Sequence, residues 1–238
     1  MNTSSSGSDR SFEAPELIEV MDAAVRYNRF LADELERWSS GAVRLLDFGA
    51  GSGRFSVAML QSGHEMHAVE PDPALRDAIA ARGVDARDSL DAFDATQRFD
   101  GIYSVNVLEH VEDDGGLLRA FFERLAPGGR LFAYVPAFPL LYSLNDARVG
   151  HLRRYRRNGL VEIVRAAGFR VAGARYVDSL GFPAGLWYRF FGNRDGGLDV
   201  GAVRLYDRVV FPLSRGVDTV AQRFFGKNLL LTAFRPLE

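Results

Sequence analysis

The sequence predicts an α/β fold in which a mostly parallel sheet carries helices on both faces. Short apolar runs alternate with segments of helical periodicity along most of the chain, as they do in repeated βα units. A glycine-rich turn also follows the first apolar run, where such folds pass from strand to helix. The composition, with 47% hydrophobic and 25% charged residues among 238, is that of an ordinary globular domain.

The chain begins with a Ser-rich, polar segment, residues 1–14, which we expect to be a disordered leader rather than a signal peptide. One or two amphipathic helices are predicted over residues 15–38, before any strand. Residues 15–238 then form a single domain, since no linker or repeat divides them. The strands are predicted at residues 43–48, 66–69, 84–87, 99–105, 130–135, 170–178 and 229–234.

Helix starts and stops between these strands are marked by capping residues. Asp72 precedes Pro73, and Asp113 or Asp114 caps the segment that runs to Leu125. We expect that helix to stop at the Pro-Gly-Gly turn, residues 127–129. Two substrate-side insertions interrupt the βα pattern, at 136–157 and 180–227. The second is predicted to be irregular at first and to end in a helix over about 203–225.

Charge, cysteine content and hydropathy exclude several classes of protein. The 29 basic and 31 acidic residues leave a net charge of -2, so nothing indicates a nucleic-acid partner. The absence of cysteine excludes disulfides, thiolate metal sites and cysteine nucleophiles. No run reaches the ~18 apolar residues of a membrane span. A cytoplasmic enzyme is therefore the expectation.

The turn after the first strand runs from Asp47 to Gly53 and places glycines at 49, 51 and 53. Glycines at such a turn let backbone amides approach a ligand, although a tight turn without a ligand has the same spacing. A dinucleotide fingerprint needs its third glycine at position 54, where this chain has Arg54. An NAD site is therefore disfavoured.

Carboxylates follow the next two strands at the same edge of the sheet. Glu70 ends the second strand, where a carboxylate can accept hydrogen bonds from both hydroxyls of a ribose, or simply lie in solvent. Asp88 follows the third strand and either accepts from an adenine amine or caps the segment from Ser89. The fourth strand then brings the polar segment 104–111 to this edge.

These motifs together resemble the class I S-adenosylmethionine-dependent methyltransferases. The resemblance rests on the turn 47–53, on Glu70 and on the segment 106–110, which reads Asn-Val-Leu-Glu-His. The chain looks most like a bacterial branch with Tyr-Asn-Arg at 27–29 and Gly-His-x-Arg-Arg-Tyr at 150–155, a branch associated with glycan and lipid-precursor pathways. The resemblance implies a Rossmann-like, seven-stranded sheet whose last strand is antiparallel and inserted between strands five and six.

The resemblance also implies S-adenosylmethionine as cofactor and a set of residues around it. The turn and Asp47 would hold the methionine end, Glu70 the ribose, and Asp88 with Ser89 the adenine, while Asn106 and Val107 would lie beside the methyl group. The predicted cofactor-binding residues are Tyr27, Asp47, Gly49, Ala50, Gly51, Gly53, Glu70, Pro71, Asp88, Ser89, Asn106 and Val107.

The acceptor side is predicted from the loop after the fifth strand. His151 is the first candidate for a general base and His110 the second, although His110 is more typical of a structural hydrogen-bonding residue. Five arginines between 148 and 157 suit an anionic acceptor, or form a solvated face that pairs with acids such as Asp146. The predicted acceptor-binding residues are Tyr142, Arg154 and Tyr155. No dense cluster of carboxylates and histidines calls for a metal.

The sequence thus predicts methyl transfer to a small-molecule acceptor, on oxygen first and nitrogen second, the acceptor being anionic or lipid-linked. Residues 182–225, in which Phe, Trp and Arg alternate, form either a lid or a contact with a membrane surface. Two other uses of the fold stay open: a cyclisation promoted by the bound cofactor, and non-catalytic binding.

Overall fold

The computed structural model describes residues 22–191 and 199–237. Within them seven strands form one sheet in the order β3-β2-β1-β4-β5-β7-β6, with β7 antiparallel to both of its neighbours. The strands are β1 Arg44–Phe48, β2 Glu65–Val69, β3 Asp85–Arg87, β4 Phe99–Val105, β5 Leu125–Pro136, β6 Arg170–Val177 and β7 Asn228–Phe234. The predicted strands, their parallel pairing and the insertion of the last strand are confirmed. The predicted leader lies outside the described residues.

Helices and short turns connect the strands. They are α1 Val25–Ser39, α2 Arg54–Gln61, α3 Pro73–Ala80, α4 Asp114–Arg124, α5 Leu144–Arg148, α6 Arg157–Ala166, α7 Gly181–Phe191, α8 Val200–Leu205 and α9 Phe211–Ala221, the last two joined by a π-helical turn, Tyr206–Val210. Asp72 caps α3 by accepting from two backbone amides, as predicted. Asp113, rather than Asp114, caps α4.

Alternating side chains of the strands build one core on each face of the sheet. Leu46 and Ile102 lie in the first core, and their neighbours Leu45 and Tyr103 lie in the second. This alternation is the period-2 pattern of strands whose two faces are both covered by helices.

Two local predictions were wrong. The segment from Gly181 is the helix α7 and not irregular. The Pro-Gly-Gly segment lies inside β5, because the amide of Gly128 donates to the carbonyl of Arg235 and the amide of Arg235 donates to that of Gly129. Pairing with the C-terminal segment thus keeps a turn-like sequence in the sheet, with a left-handed φ of +77° at Gly128 absorbing the bend.

Strands β1, β2, β4 and β5 are parallel, so their carboxyl ends meet at one edge of the sheet. Open α/β sheets bind ligands at this edge. Among the described helices, none combines the length and the apolar character needed to traverse a bilayer.

Candidate functional site

The turn between β1 and α2 is held against β2 and leaves its centre open. The amides of Gly49 and Ala50 both donate to the carbonyl of Val69, at 2.9 and 3.1 Å. Gly49, Gly51 and Gly53 have positive φ angles, which side chains other than glycine rarely adopt. A Cβ at Gly51 would meet no atom of the described protein within 4 Å. The middle of the turn therefore borders space that a ligand can occupy.

Glu70 lies beside this space and braces the turn. One carboxylate oxygen accepts from the amide of Gly51 at 2.7 Å, and the other accepts from the amide of Asp72 at 3.0 Å. Glu70 is buried. Each oxygen retains further lone pairs, so the carboxylate can accept from a ligand while it holds the turn.

Asp47 points into the protein and not toward the open space. Its carboxylate accepts a 2.6 Å hydrogen bond from the hydroxyl of Ser56 and is buried. Burial raises the pKa of Asp47 to about 7; the Ser56 hydroxyl opposes this rise and the charge of Glu70 adds to it. Asp47 therefore supports the turn and does not itself contact a ligand in the open space.

Tyr27 and Asn106 lie on the β4 and β5 side of the turn. The ring of Tyr27 packs edge to face on those of Tyr134 and Phe211, and the buried carboxylate of Asp207 accepts from the backbone amide of Tyr27 at 2.8 Å. Asn106 has a φ of +55°, and its amide donates to the carbonyl of Tyr134.

Val107, the next residue, covers Gly49, where an added Cβ would lie 2.3 Å from a methyl carbon of Val107. Val107 thus forms a wall of the turn. Pro71 follows Glu70 and is exposed, and its carbonyl accepts from the side chain of Arg76.

Asp88 and Ser89 are both exposed after β3, and the hydroxyl of Ser89 donates to Asp88. The short helical turn that begins at Leu90 has no side-chain cap. The alternative in which Asp88 caps this segment is therefore not supported, whereas an adenine contact stays a prediction.

His151 is held by Asp146 on the loop after β5. Its Nδ1 lies 2.7 Å from Oδ1 of Asp146. The same oxygen accepts from Nε of Arg154 at 2.8 Å, and Oδ2 of Asp146 accepts from Nη2 of Arg154 at 3.0 Å. Burial opposes ionisation, but these hydrogen bonds outweigh it and hold the pKa of Asp146 well below its usual range. The hydroxyl of Tyr142 donates to the carbonyl of His151 and secures the loop.

Glu109 and His110 face this loop from the end of β4. The carboxylate of Glu109 is fully buried, and its Oε1 lies 3.7 Å from Nε2 of His151. Burial raises the pKa of Glu109 to about 8. His110 is exposed; its Nδ1 lies 3.2 Å from the carbonyl of Gly150, and its ring packs edge to face on that of His151.

The sequence did not single out Asp146 or Glu109 as site residues. Asp146 ends a Ser-x-x-Asp capping box with Ser143, which marks a helix start but gives no sign that its carboxylate also meets His151. Glu109 precedes the predicted His110 in the sequence, but the local sequence does not show that its side chain is buried.

Most of the predicted arginine cluster is used within the protein. Arg154 is bound to Asp146, Arg153 pairs with Asp114, and Arg157 donates to the carbonyl of Arg223. This favours the interpretation in which the cluster pairs with nearby acids.

Tyr155, which was predicted to bind the acceptor, has its hydroxyl bonded within the protein. It is buried, and its hydroxyl lies 2.8 Å from a carboxylate oxygen of Asp114 and 3.0 Å from the carbonyl of Leu108. The hydroxyl therefore ties the loop to β4 and α4, and this geometry does not fit a contact with the acceptor.

The aromatic residues of the two insertions differ in their exposure. Phe138 stacks on Tyr176 and packs on Phe182, whereas Trp187 and Phe190 are more than 60% exposed on α7. Phe138 precedes the His151 loop and can border an acceptor.

The open turn and Glu70 fit the adenosyl cofactor that the sequence resemblance implies. Gly51 has no side chain to fill the space over the turn, and the adjacent carboxylate of Glu70 can accept from two ribose hydroxyls. A separate cleft of about 550 Å³ includes Gly128, at the start of β5, and Phe234, at the end of the antiparallel β7. It therefore lies at the opposite edge of the sheet and away from these residues.

The sequence of the chain is also similar to those of known proteins. The family model described as a methyltransferase domain matches residues 21–173. The ubiquinone biosynthesis O-methyltransferases of Xanthomonas oryzae pv. oryzae (strain PXO99A) and Xylella fastidiosa (strain M23) are each 30% identical, over 105 and 106 residues, which are 40% and 41% of this chain and 44% and 43% of theirs. The chain thus spans less than half the length of these curated relatives.

Solved structures share the fold at low sequence identity. The Burkholderia thailandensis 1,6-didemethyltoxoflavin-N1-methyltransferase superposes with a TM-score of 0.61 at 19% identity, covering 99% of this chain and 93% of that one. The cyclase SpnF superposes with a TM-score of 0.57 at 20% identity, covering 89% and 81%.

Proposed function

This chain belongs to the methyltransferase domain family, and we propose that it transfers a methyl group from S-adenosylmethionine to a hydroxyl oxygen of a small-molecule acceptor. The observation that carries the proposal is the open space over Gly51 beside the buried carboxylate of Glu70. The O-methyltransferases among the similar proteins support oxygen as the acceptor atom.

The chain's own residues divide the work between two parts of the sheet edge. Glu70 and the glycine turn bind and orient the cofactor. When bound, S-adenosylmethionine supplies a methyl group on a positively charged sulfur, already activated for transfer to a nucleophile. The protein therefore has mainly to position the acceptor, take up its proton and exclude water. Positioning alone can lower the activation free energy by roughly 7 kcal/mol or more.

His151 is the residue placed to take up the acceptor proton. Asp146 holds Nδ1 of the ring, which leaves Nε2 as the proton acceptor. Asp146 is a positioning residue in this scheme, because its carboxylate sets the tautomer and orientation of His151 without touching the acceptor. Arg154 neutralises that carboxylate, and Tyr142 fixes the loop backbone.

The test is methyl transfer from methyl-labelled S-adenosylmethionine to a panel of phenolic, sugar and lipid-linked hydroxyl compounds. A product heavier by one methylene group supports the proposal, and an acceptor converted without that gain would support the cyclisation alternative. Asp146→Asn should lower kcat more than it raises KM, and His151→Ala should lower kcat further. His67→Ala, a histidine paired with Glu65 and Asp85 away from this loop, is the matched control.

A lipid-linked acceptor and a contact with the membrane surface form the finer part of the proposal. Six apolar side chains repeat every three or four residues along α8, the π-turn and α9 and just beyond, and each is at least 40% exposed. They are Leu205, Val209, Leu213, Val217, Val220 and Phe224, and we call them the apolar stripe.

The charges beside the apolar stripe suit an anionic lipid surface. Arg204, Arg208 and Arg223 are exposed, whereas Asp207 and Asp218 are buried in hydrogen bonds within the protein. An amphipathic helix with a basic flank lies in the interface of an anionic bilayer.

Vesicle flotation tests the membrane contact. The protein should float with phosphatidylglycerol vesicles and not with phosphatidylcholine vesicles, and the double variant Leu213→Glu with Val220→Glu should not float. Leu237→Glu, equally exposed outside the apolar stripe, is the control. Flotation that the double variant retains would reject this contact. The cytoplasmic location predicted from the sequence is part of the same proposal, and cell fractionation checks it.

A further inference from the structure

Glu109 is a buried polar group that the proposed mechanism does not use. Its side chain is 0% exposed, and neither carboxylate oxygen has a hydrogen-bond partner among the described residues. A buried carboxyl without partners is costly, and such groups in proteins are normally paired or bound to a metal. Its surroundings therefore call for a ligand.

Two histidines face this carboxylate. The 3₁₀ turn Leu108–His110 places His110 beside Glu109, and the loop after α5 brings His151 to the same point. One ligand atom from each of the three residues lies within 4.8 Å of the others. Ligand atoms around one tetrahedral cation lie roughly 3.4 Å apart for bonds of about 2.1 Å. The 3.7 Å between Oε1 of Glu109 and Nε2 of His151 is close to this value, and the exposed ring of His110 packs against that of His151.

Both imidazole rings are already oriented as metal-binding rings are. Nδ1 of His151 is held by the carboxylate of Asp146 at 2.7 Å, and Nδ1 of His110 is held by the carbonyl of Gly150 at 3.2 Å. Metal-binding histidines nearly always donate their second nitrogen to such an oxygen, which fixes the tautomer. Nε2 of each ring is thereby left for a ligand.

We propose that Glu109, His110 and His151 bind one divalent first-row transition cation, of the class of Zn²⁺ or Mn²⁺. Two imidazoles and one carboxylate suit this class, and three protein ligands leave a coordination position open. If the proposed function holds, on which this part rests, the acceptor oxygen would occupy the open coordination position. The cation would lower the pKa of that hydroxyl, its proton would pass to water, and His151 would be a ligand rather than the base.

The test is a cation titration of the tag-free, full-length chain after chelator treatment. Calorimetry with ZnCl₂, and electron paramagnetic resonance with MnCl₂, should show one saturable site per chain. Glu109→Gln keeps the shape of the side chain, and His110→Ala alters an exposed residue, so both variants should fold. Each should weaken binding at least tenfold. Glu112→Gln, which changes an exposed acid two residues after His110, is the matched control and should bind as the unchanged protein does.

The outcomes separate this site from the proposed function. Absence of saturable binding, or binding that Glu109→Gln leaves unchanged, overturns the cation site. The affinity for S-adenosylhomocysteine is measured on the same samples. Cofactor binding that persists when cation binding is absent overturns the cation site alone, whereas cation binding without cofactor binding overturns the proposed function.

Discussion

Replacing Glu70 by alanine tests the link between the glycine turn and the cofactor. The change removes the acceptor of two backbone amides, at 2.7 Å from Gly51 and 3.0 Å from Asp72. Hydrogen bonds to charged groups contribute about 1.5–3 kcal/mol each, but water can reach the partly exposed Gly51 amide once the side chain is gone. We therefore expect the free energy of unfolding to fall by about 1–3 kcal/mol, which leaves the protein folded.

The effect on the free energy of cofactor binding should be at least as large as the effect on the free energy of unfolding. The variant loses an acceptor for the ribose hydroxyls and also the brace that keeps Gly51 facing the ligand. The loss of a single charged hydrogen bond, about 1.5–3 kcal/mol, raises Kd about tenfold to a hundredfold. Isothermal calorimetry with S-adenosylhomocysteine measures this change, and circular dichroism confirms that the variant is folded.

Asp72→Ala is the matched control, because it removes a nearby acid that caps α3 and does not face the turn. It should lower stability by about 1 kcal/mol and leave Kd unchanged. A folded Glu70→Ala protein with an unaltered Kd would refute the assignment of the cofactor to this edge.

Three further predictions concern the turn and its supports. Gly51→Ala and Gly63→Ala each place a side chain at a positive φ, with no atom within 4 Å of the new Cβ. Each should lower the free energy of unfolding by about 1–2 kcal/mol because of the strained backbone. Calorimetry should show weaker cofactor binding only for Gly51→Ala. The raised pKa of Asp47 means that the folded protein holds a proton which the unfolded chain releases above pH ~4. Urea unfolding should therefore show stability falling from pH 5 to pH 8 more steeply in the unchanged protein than in Asp47→Asn; equal slopes would contradict the shift. Asp207→Ala removes the acceptor of two amides at the start of α1 and should cost about 2–4 kcal/mol in thermal unfolding, against about 1 kcal/mol for the exposed cap Asp199 replaced by alanine.

The sequence by itself determined the strands, their direction and the edge at which ligands bind. Strand β4 was predicted at its observed bounds because its apolar run is bounded by polar residues, and Asp72 with Pro73 marked the start of α3 by local chemistry alone. The glycine turn and Glu70 were equally local signals, since each depends on a few neighbouring residues. The helix α7 was missed because its many aromatic and glycine residues have weak helical propensity.

Only the tertiary structure decided which polar side chains meet. Glu109 and His151 stand 42 positions apart along the chain, and nothing in the spacing of the sequence shows that the loop after β5 folds back onto the end of β4. The pairing of the arginine cluster with Asp146 was one of two alternatives that the sequence left open, and only the folded loop shows that Arg154 forms this pair and that Asp146 also orients His151. Contacts of this kind depend on loop conformation, which long-range packing determines and local periodicity does not record.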